Sequence, residues 1–290
     1  MESMHLLVFA IITIMNSNSA VSAGNVSKGR SSSNHVNALI VVDVQNCFIT
    51  GNLALSKAPA GQDGAKVVPI INDLIRTVPF HVIAYTYDWH PRNHISFFDN
   101  LNSRRKYLKF NQNRTINMYD EVIYTGPKVG TKQILWPSHC VQDTEEAALH
   151  KDLYVPSASN NVIHIRKGTD PDIDSYSAFA DNNRVKKTDL DKKLRDRNVT
   201  HVFVAGLAID YCVGGTALDA FELNYTTYLI EDASGSIAFN SAKRKIEYLK
   251  QRGIGIIQAN DVKTLISSAC DKSFSTLLIA SINLFILLLT

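Results

Sequence analysis

The sequence is short of cysteine, of clustered charge and of long apolar segments. Its four cysteines in 290 residues are too few for a fold that depends on disulfides. Its 30 basic and 27 acidic residues include no long run of one sign, so nucleic acid is not an implied partner. We find no internal repeat and no composition shift that marks a second domain, and the length fits one globular domain.

The two ends of the chain carry apolar segments of the kind that direct processing. Residues 1–23 contain an apolar run and then Val21-Ser22-Ala23, which predicts a signal peptide. No Lys or Arg precedes that run, so a buried N-terminal helix is the alternative. Residues 268–290 end in an apolar tail that is too short to span a bilayer comfortably. Small residues and a polar spacer precede this tail, which predicts a GPI-attachment signal, with a retained tail anchor as the alternative.

Four asparagines lie in N-glycosylation sequons, and this agrees with passage through the secretory pathway. They are Asn25, Asn113, Asn198 and Asn224. Together with the two ends, they predict an extracellular or cell-surface protein that reaches the membrane through a lipid anchor or a tail. The sequence leaves open whether Cys47 and Cys140 pair, and it leaves the oligomeric state open.

Residues 24–267 show the pattern of one α/β domain. Short β-branched apolar runs alternate with segments of helical periodicity, which predicts three layers: a mainly parallel six-stranded sheet with helices on both faces. The predicted strands are residues 38–44, 81–87, 162–166, 201–205, 227–230 and 255–258. The predicted helices are residues 67–77, 189–197, 213–223, 241–252 and 261–267. Residues 100–135 are polar without clear periodicity, which predicts a long functional loop or lid.

Reactive side chains follow four of the predicted strands. Asp43 ends the first strand, Asp88 and His90 follow the second, Lys167 follows the third, and Cys212 lies in the turn after the fourth. Ligands of an open parallel sheet bind beyond the carboxyl ends of its strands. We therefore expect these side chains to meet at one edge.

Cys212 is predicted to be a nucleophile. It lies in a turn that opens a helix, where free N–H groups and the helix dipole are expected to lower the pKa of its thiol and to receive an oxyanion. Asp43 ends an apolar strand, a costly position unless it is paired, and Lys167 is the expected partner. An acid near a thiol can take its proton. The alternatives are a buried apolar cysteine and a structural salt bridge.

A second group combines one carboxylate with several imidazoles. Asp88, His90 and His94 lie within seven residues, and His139 follows the long loop. This donor set is typical of a site for a divalent metal with positions left open for water or substrate. Histidines that are satisfied by local backbone bonds are the alternative.

The stretches around these residues resemble the nicotinamidases of the isochorismatase-like cysteine hydrolases. Their order and spacing both fit, between about Leu39 and Ala259. The matching stretches are residues 42–48, 88–97, 136–140, 167–168 and 206–213. Two features depart from the family pattern: Cys47 stands where an acidic residue is common, and residues 100–135 are longer than in bacterial members.

The resemblance implies a set of roles. Asp43, Lys167 and Cys212 would form a catalytic triad. One divalent metal, zinc first with iron or manganese as alternatives, would bind to Asp88, His90 and His139, with His94 as a further ligand or a close neighbour.

The resemblance also implies a substrate site. A cis peptide is expected at Leu207–Ala208, with the N–H groups of Ala208 and Cys212 as oxyanion donors. Phe48, Trp136 and Tyr176 would flank the pyridine ring of the expected substrate, nicotinamide. The alternatives are an amidohydrolase for another small aromatic amide and a catalytically inactive surface-displayed binding protein.

Overall fold

The computed structural model describes residues 35–109, 115–157 and 161–266. The predicted signal peptide, the predicted C-terminal signal, Asn25 and Asn113 lie outside the described residues. Within the described ranges, no helix has the length and apolar character needed to cross a membrane.

Strands occur at all six positions predicted from the sequence, and a hairpin adds two more. In chain order the strands are β1 (Asn37–Val42), β2 (Val82–Asp88), β3 (Glu121–Tyr124), β4 (Thr131–Ile134), β5 (Val162–Lys167), β6 (His201–Gly206), β7 (Thr226–Ser234) and β8 (Gly255–Ile257). Six of them form one sheet in the order β5-β2-β1-β6-β7-β8, and every pairing in it is parallel.

Helices fill the connections as the periodicity predicts. They are α1 (Asn46–Ile49), α2 (Val67–Thr77), α3 (Leu101–Arg104), α4 (Leu190–Arg195), α5 (Gly214–Glu222) and α6 (Phe239–Arg252), and residues 259–266 are also helical. Gly253 ends α6 in the left-handed region, where glycine is the favoured residue.

Each face of the sheet packs on its own core, which explains why β1 is apolar throughout. Ala38, Ile40 and Val42 lie in one core, and Leu39 and Val41 lie in the other. Side chains of α2 and of residues 259–266 cover the second core, whereas α4, α5 and α6 cover the first. The prediction of an α/β domain with helices on both faces is confirmed.

The strand order places a crevice at the carboxyl end of the sheet. From its centre the sheet grows to one side through β2 and β5 and to the other through β6, β7 and β8, so the order reverses between β1 and β6. Connections leave in opposite directions at such a point, and ligands of open α/β sheets bind there.

The segment predicted as a long loop, residues 100–135, is partly folded. It contains α3 and the antiparallel hairpin of β3 and β4. A third apolar cluster lies beneath it, made of Ile95, Leu101, Ile116, Val122, Tyr124 and Leu135. The sequence analysis missed this hairpin because strands of four residues are too short to show a periodic signal.

Candidate active site

Asp43, Lys167 and Cys212 meet at the crevice. The Nζ atom of Lys167 lies 2.9 Å from Oδ2 of Asp43 and 3.3 Å from Sγ of Cys212. A carboxylate oxygen of Asp43 lies within 4.8 Å of that sulfur. All three residues are buried. The structure thus brings together the three side chains that the sequence marked as a triad.

The backbone turns Asp43 away from its strand and onto the neighbouring one. Asp43 follows β1 with a φ of 49°, and its N–H donates to Oγ1 of Thr86 at 3.1 Å. The hydroxyl of Thr86 donates in turn to Oδ1 of Asp43 at 2.5 Å. One oxygen of the carboxylate is therefore held by β2, and the other faces Lys167.

Lys167 is the last residue of β5, and its ammonium group is surrounded by acceptors. Besides Asp43, it contacts Oδ1 of Asp88 at 2.8 Å and donates to the carbonyl of Ser175 at 3.0 Å. Burial would lower the pKa of Lys167, but Asp43 and Asp88 raise it well above its usual value. The side chain is therefore a permanent cation.

The surroundings keep Cys212 as a thiol. Burial raises the pKa of Cys212 well above its usual value; Lys167 opposes this, and Asp43 and Asp88 add to it. The prediction that a helix N-terminus lowers this pKa is wrong. Cys212 does lie in the first turn of a helical segment, since the π-helical turn Ile209–Val213 continues into α5, but burial outweighs the effect of that position.

Asp43 has the properties of a base for that thiol. Burial raises the pKa of Asp43, although the charge of Lys167 limits the rise. A carboxylate of raised pKa is a stronger base than an ordinary one, which suits it to take the proton of a neighbouring thiol.

Asp88, His90 and His139 converge on one point beside the triad. The Nε2 atoms of His90 and His139 lie 3.1 Å and 3.5 Å from Oδ2 of Asp88. Their Nδ1 atoms lie 2.8 Å from the carbonyl oxygens of Gly168 and Pro137. A carbonyl only accepts, so Nδ1 carries hydrogen and Nε2 can present a lone pair.

The donor set fits a divalent metal. One atom from each of Asp88, His90 and His139 lies within 4.8 Å of the others. Burial would raise the pKa of Asp88, but His90 and Lys167 hold it well below its usual value, so the group is a carboxylate. Outer hydrogen bonds from each imidazole to a backbone carbonyl are the usual support of a metal ligand.

Gly168 is required for one of those outer bonds. Its φ is +63°, and a Cβ atom there would lie 2.4 Å from Cε1 of His90. Only glycine lets the carbonyl approach the ring of His90 so closely.

His94 lies next to this cluster. Its ring stacks on His90 with centroids 4.0 Å apart, and its Nδ1 atom lies 2.7 Å from Oγ of Ser96. Among the described residues its Nε2 atom has no well-formed hydrogen bond. Burial and His90 lower the pKa of His94 well below its usual value, so the ring is neutral. The structure groups it with His90 and Asp174, apart from Asp88 and His139.

A small pocket opens in front of Cys212 and the Asp88 cluster. Phe48, Trp136 and Tyr176, which the sequence marked as aromatic contacts, all line it. Aromatic walls of this kind favour a ligand with a flat ring.

Sequence reasoning missed four further lining residues, which are Leu53, Asp174, Tyr211 and Ile237. Tyr211 packs edge-on against Trp136 at 4.9 Å between centroids. Ile237 follows β7, which is the fifth of the six strands predicted from the sequence. A search of the residues after that strand could have found it. Nothing in the sequence marks Leu53.

Ala208 lines the pocket beside Cys212. The Leu207–Ala208 peptide bond is cis, as the resemblance implies. In the described part of the chain, the N–H of Ala208 donates to no backbone acceptor.

Comparisons with known proteins show which family the chain resembles. The isochorismatase domain model matches residues 37–261. A nicotinamidase of Acinetobacter baylyi is 42% identical over 206 residues, which cover 71% of this chain and 84% of that protein.

Two solved structures share the fold. The pyrazinamidase of Pyrococcus horikoshii in complex with zinc is 34% identical with a TM-score of 0.57, and the match covers 77% of this chain and 99% of that one. The yeast nicotinamidase bound to the inhibitor nicotinaldehyde is 30% identical with a TM-score of 0.65, over 77% and 99% of the two chains. With a domain match over most of its length and relatives of this identity and coverage, the chain belongs to the isochorismatase family.

Proposed function

We propose that the protein is a nicotinamidase, which hydrolyses nicotinamide to nicotinate and ammonia. The observation that carries the proposal is the buried Asp43–Lys167–Cys212 cluster, which opens on an aromatic pocket beside Asp88, His90 and His139. The nucleophile, its base and a donor set for a metal ion then line one aromatic pocket.

Asp43 begins the reaction by taking the proton of Cys212. The thiolate attacks the carboxamide carbon, and the carbonyl oxygen becomes an oxyanion that accepts hydrogen bonds from the N–H groups of Ala208 and Cys212. Asp43 then gives its proton to the amide nitrogen, and the C–N bond breaks. Ammonia departs, and the acyl group remains on Cys212 as a thioester.

Water completes the cycle. Asp43, again a carboxylate, takes a proton from water, and the oxygen attacks the thioester carbon. The C–S bond breaks, nicotinate leaves, and the proton returns to the sulfur. Lys167 remains charged throughout and stabilises the negative charge that moves between Asp43 and Cys212.

Asp88, His90 and His139 would hold the metal, with zinc as the first candidate and iron or manganese as alternatives. A bound divalent ion would supply a Lewis-acid site for the pyridine nitrogen and so orient the ring. The zinc complex of the Pyrococcus horikoshii relative supports a metal here, as does the carbonyl support of both histidines.

The aromatic walls suit a flat ring. Burial raises the pKa of Tyr176 well above its usual value, so its hydroxyl stays neutral. Phe48 stands 5.6 Å from the ring of His139. Aromatic faces at these positions can stack on a pyridine ring and hold its carboxamide toward Cys212.

Another small aromatic amide is the second candidate substrate. The relative from Pyrococcus horikoshii is called a pyrazinamidase, and the pocket walls would accept a pyrazine ring equally well. A catalytically inactive binding protein is disfavoured, because nothing in a binding scaffold requires a buried acid, amine and thiol in contact.

Ammonia release from nicotinamide by the purified protein tests the proposal. We expect turnover that a chelator lowers by at least about tenfold and that zinc restores. Benzamide, which lacks the ring nitrogen, is the matched control and should have a much lower kcat/KM, whereas pyrazinamide should be accepted. Equal kcat/KM values for benzamide and nicotinamide would contradict a metal that holds the ring nitrogen.

We further propose that the protein matures in the secretory pathway and reaches the cell surface through a GPI anchor. Support comes from a buried disulfide between Cys47 and Cys140, which is typical of oxidising compartments. Asn198 and Asn224, both in sequons, are exposed in turns and accessible to glycosylation. A mass shift on treatment with an N-glycosidase and release from cells by a phosphatidylinositol-specific phospholipase test this proposal.

A further inference from the structure

We propose that the Cys47–Cys140 disulfide is a positioning element of the active site, which holds Phe48 in the pocket wall against His139 of the metal cluster. The inference rests on the metal site of the proposed function. It assigns to this chain a feature that the family pattern lacks, since an acidic residue is common at the position of Cys47.

The two cysteines are the direct neighbours of two pocket residues. Cys47 precedes Phe48, and Cys140 follows His139. The Cα atoms of the cysteines are 5.3 Å apart, and the rings of Phe48 and His139 are 5.6 Å apart. Both cysteines have no exposed surface. A shift of either segment relative to the other would therefore change the pocket wall and the metal cluster together.

His139 comes from a segment that lies outside the sheet. Asp88 ends β2 and is paired in register with Lys167 of β5. The segment from Trp136 to Val141 lies outside any helix or strand, and its isolated bridges are at Trp136 and Val141. The bridge of Val141 is to His90, which itself follows the end of β2. The disulfide is therefore next to the part of the cluster that lies outside the sheet.

Phe48 lies in an equally weak element. The helix α1 is a single turn of four residues, and Gln45 makes no side-chain cap at its start. An isolated turn of this length is not stable by itself. Its position depends on contacts with the rest of the chain, and the disulfide is the covalent one.

The polar contact between the region of Phe48 and residues 136–141 faces water. Asn52 donates from its side chain to the carbonyl of Ser138 at 3.1 Å, and this bond is exposed. A buried bond from Gln45 reaches Ala147, at 2.8 Å, beyond that segment. Exposed hydrogen bonds compete with solvent and contribute little net free energy. The buried disulfide has no such competitor.

A purely global role is the alternative. The disulfide joins residues 93 positions apart, and closing a loop of that length restricts the unfolded chain. That effect would raise the melting temperature without changing the folded site. The two roles therefore predict different outcomes for metal affinity and KM at temperatures where every variant is folded.

The test uses the full-length protein with two double variants. Cys47→Ala/Cys140→Ala removes the disulfide, and Cys47→Val/Cys140→Ala also refills part of its volume, so that a folded variant is obtained. Leu194→Ala is the matched control: it truncates a buried side chain of α4 that does not line the pocket. For each protein we would measure the melting temperature, the zinc Kd by chelator competition, and KM and kcat for nicotinamide.

We expect both double variants to bind zinc about 10- to 100-fold more weakly, the range found when the support of a metal ligand is lost. KM should rise because Phe48 moves, and Leu194→Ala should lower the melting temperature with zinc affinity unchanged. Double variants that melt at a lower temperature but keep the wild-type zinc Kd and KM would overturn this inference and leave the proposed function standing. Wild-type protein that binds no zinc would overturn the proposed metal site as well.

Discussion

The reactive groups of the pocket come from two kinds of region that are held in place differently. Asp43, Asp88 and Lys167 follow or end three adjacent strands of one sheet, and Asp88 and Lys167 are register partners. His139 and Tyr176 come from irregular segments. Continuous backbone hydrogen bonds fix the first set, whereas single side-chain contacts and one disulfide fix the second.

Residues 100–135, the segment that we term the insertion, provide one of these side-chain supports. Arg104 is buried, and its guanidinium donates to Oδ1 of Asp172 at 2.8 Å and to the carbonyl of Pro171 at 2.7 Å. Gln133 donates to Oδ2 of Asp174 at 2.8 Å. The insertion thus clamps the loop that leads from β5 to Tyr176. The comparison implies that sheet residues set the chemistry and the clamped loops set substrate binding.

The largest effect is expected from Cys212→Ala. Removal of the nucleophile leaves no acceptor for the acyl group, so kcat should fall by at least about 10⁴-fold. Steady-state ammonia release measures this, and zinc binding should persist because Cys212 is outside the Asp88 cluster. Substantial residual turnover would contradict the thioester mechanism. It would also contradict the division between residues that carry out the reaction and residues that bind the substrate.

Asp43→Asn should have the next largest effect. The amide keeps the shape but cannot accept the proton of Cys212, so kcat should fall by about 10²- to 10⁴-fold with KM nearly unchanged. Single-turnover kinetics of acyl transfer measures the loss. A rise in KM as large as the loss in kcat would mean that this sheet residue also governs binding.

Metal removal should weaken activity by at least about tenfold. Dialysis against a chelator followed by addition of zinc, iron or manganese measures the loss and its recovery. Full activity in demonstrably metal-free protein would show that Asp88, His90 and His139 have a structural role alone.

The pH dependence sharpens the role of Asp43. Burial raises its pKa above the ordinary 3.8. Only the carboxylate can accept a proton. Below the raised pKa of Asp43, kcat/KM should therefore fall about tenfold for each unit by which the pH is lowered. Above that pKa, kcat/KM should level off. An acid limb centred at or below 3.8 in the pH profile of kcat/KM would contradict this assignment.

The smallest effect is expected from the clamp. Arg104→Ala frees the loop that carries Tyr176, and KM for nicotinamide should rise by about tenfold, equivalent to about 1.4 kcal/mol, with kcat spared. Arg104→Lys is the matched control and should recover part of the loss, since lysine keeps the charge but not the forked geometry. A loss of kcat with KM unchanged would mean that Arg104 supports the chemical step and not substrate binding.

Much of the site could be predicted from residues near strand ends. Asp43 and Lys167 each adjoin an apolar β-branched run, and the alternation of such runs with helical segments predicts the parallel sheet that brings them to one edge. Tyr211 was missed because its place in the wall depends on how the turn after β6 packs.

The sequence by itself determined the layers, the strand positions and the chemical type of each reactive side chain, because hydrophobic period and residue type are local properties. Tertiary structure alone decided that Cys47 pairs with Cys140 across 93 residues, that the insertion folds into a hairpin, and that the pKa of Cys212 is raised. These outcomes depend on burial and on charges from distant segments. Such quantities exist only once the chain has folded.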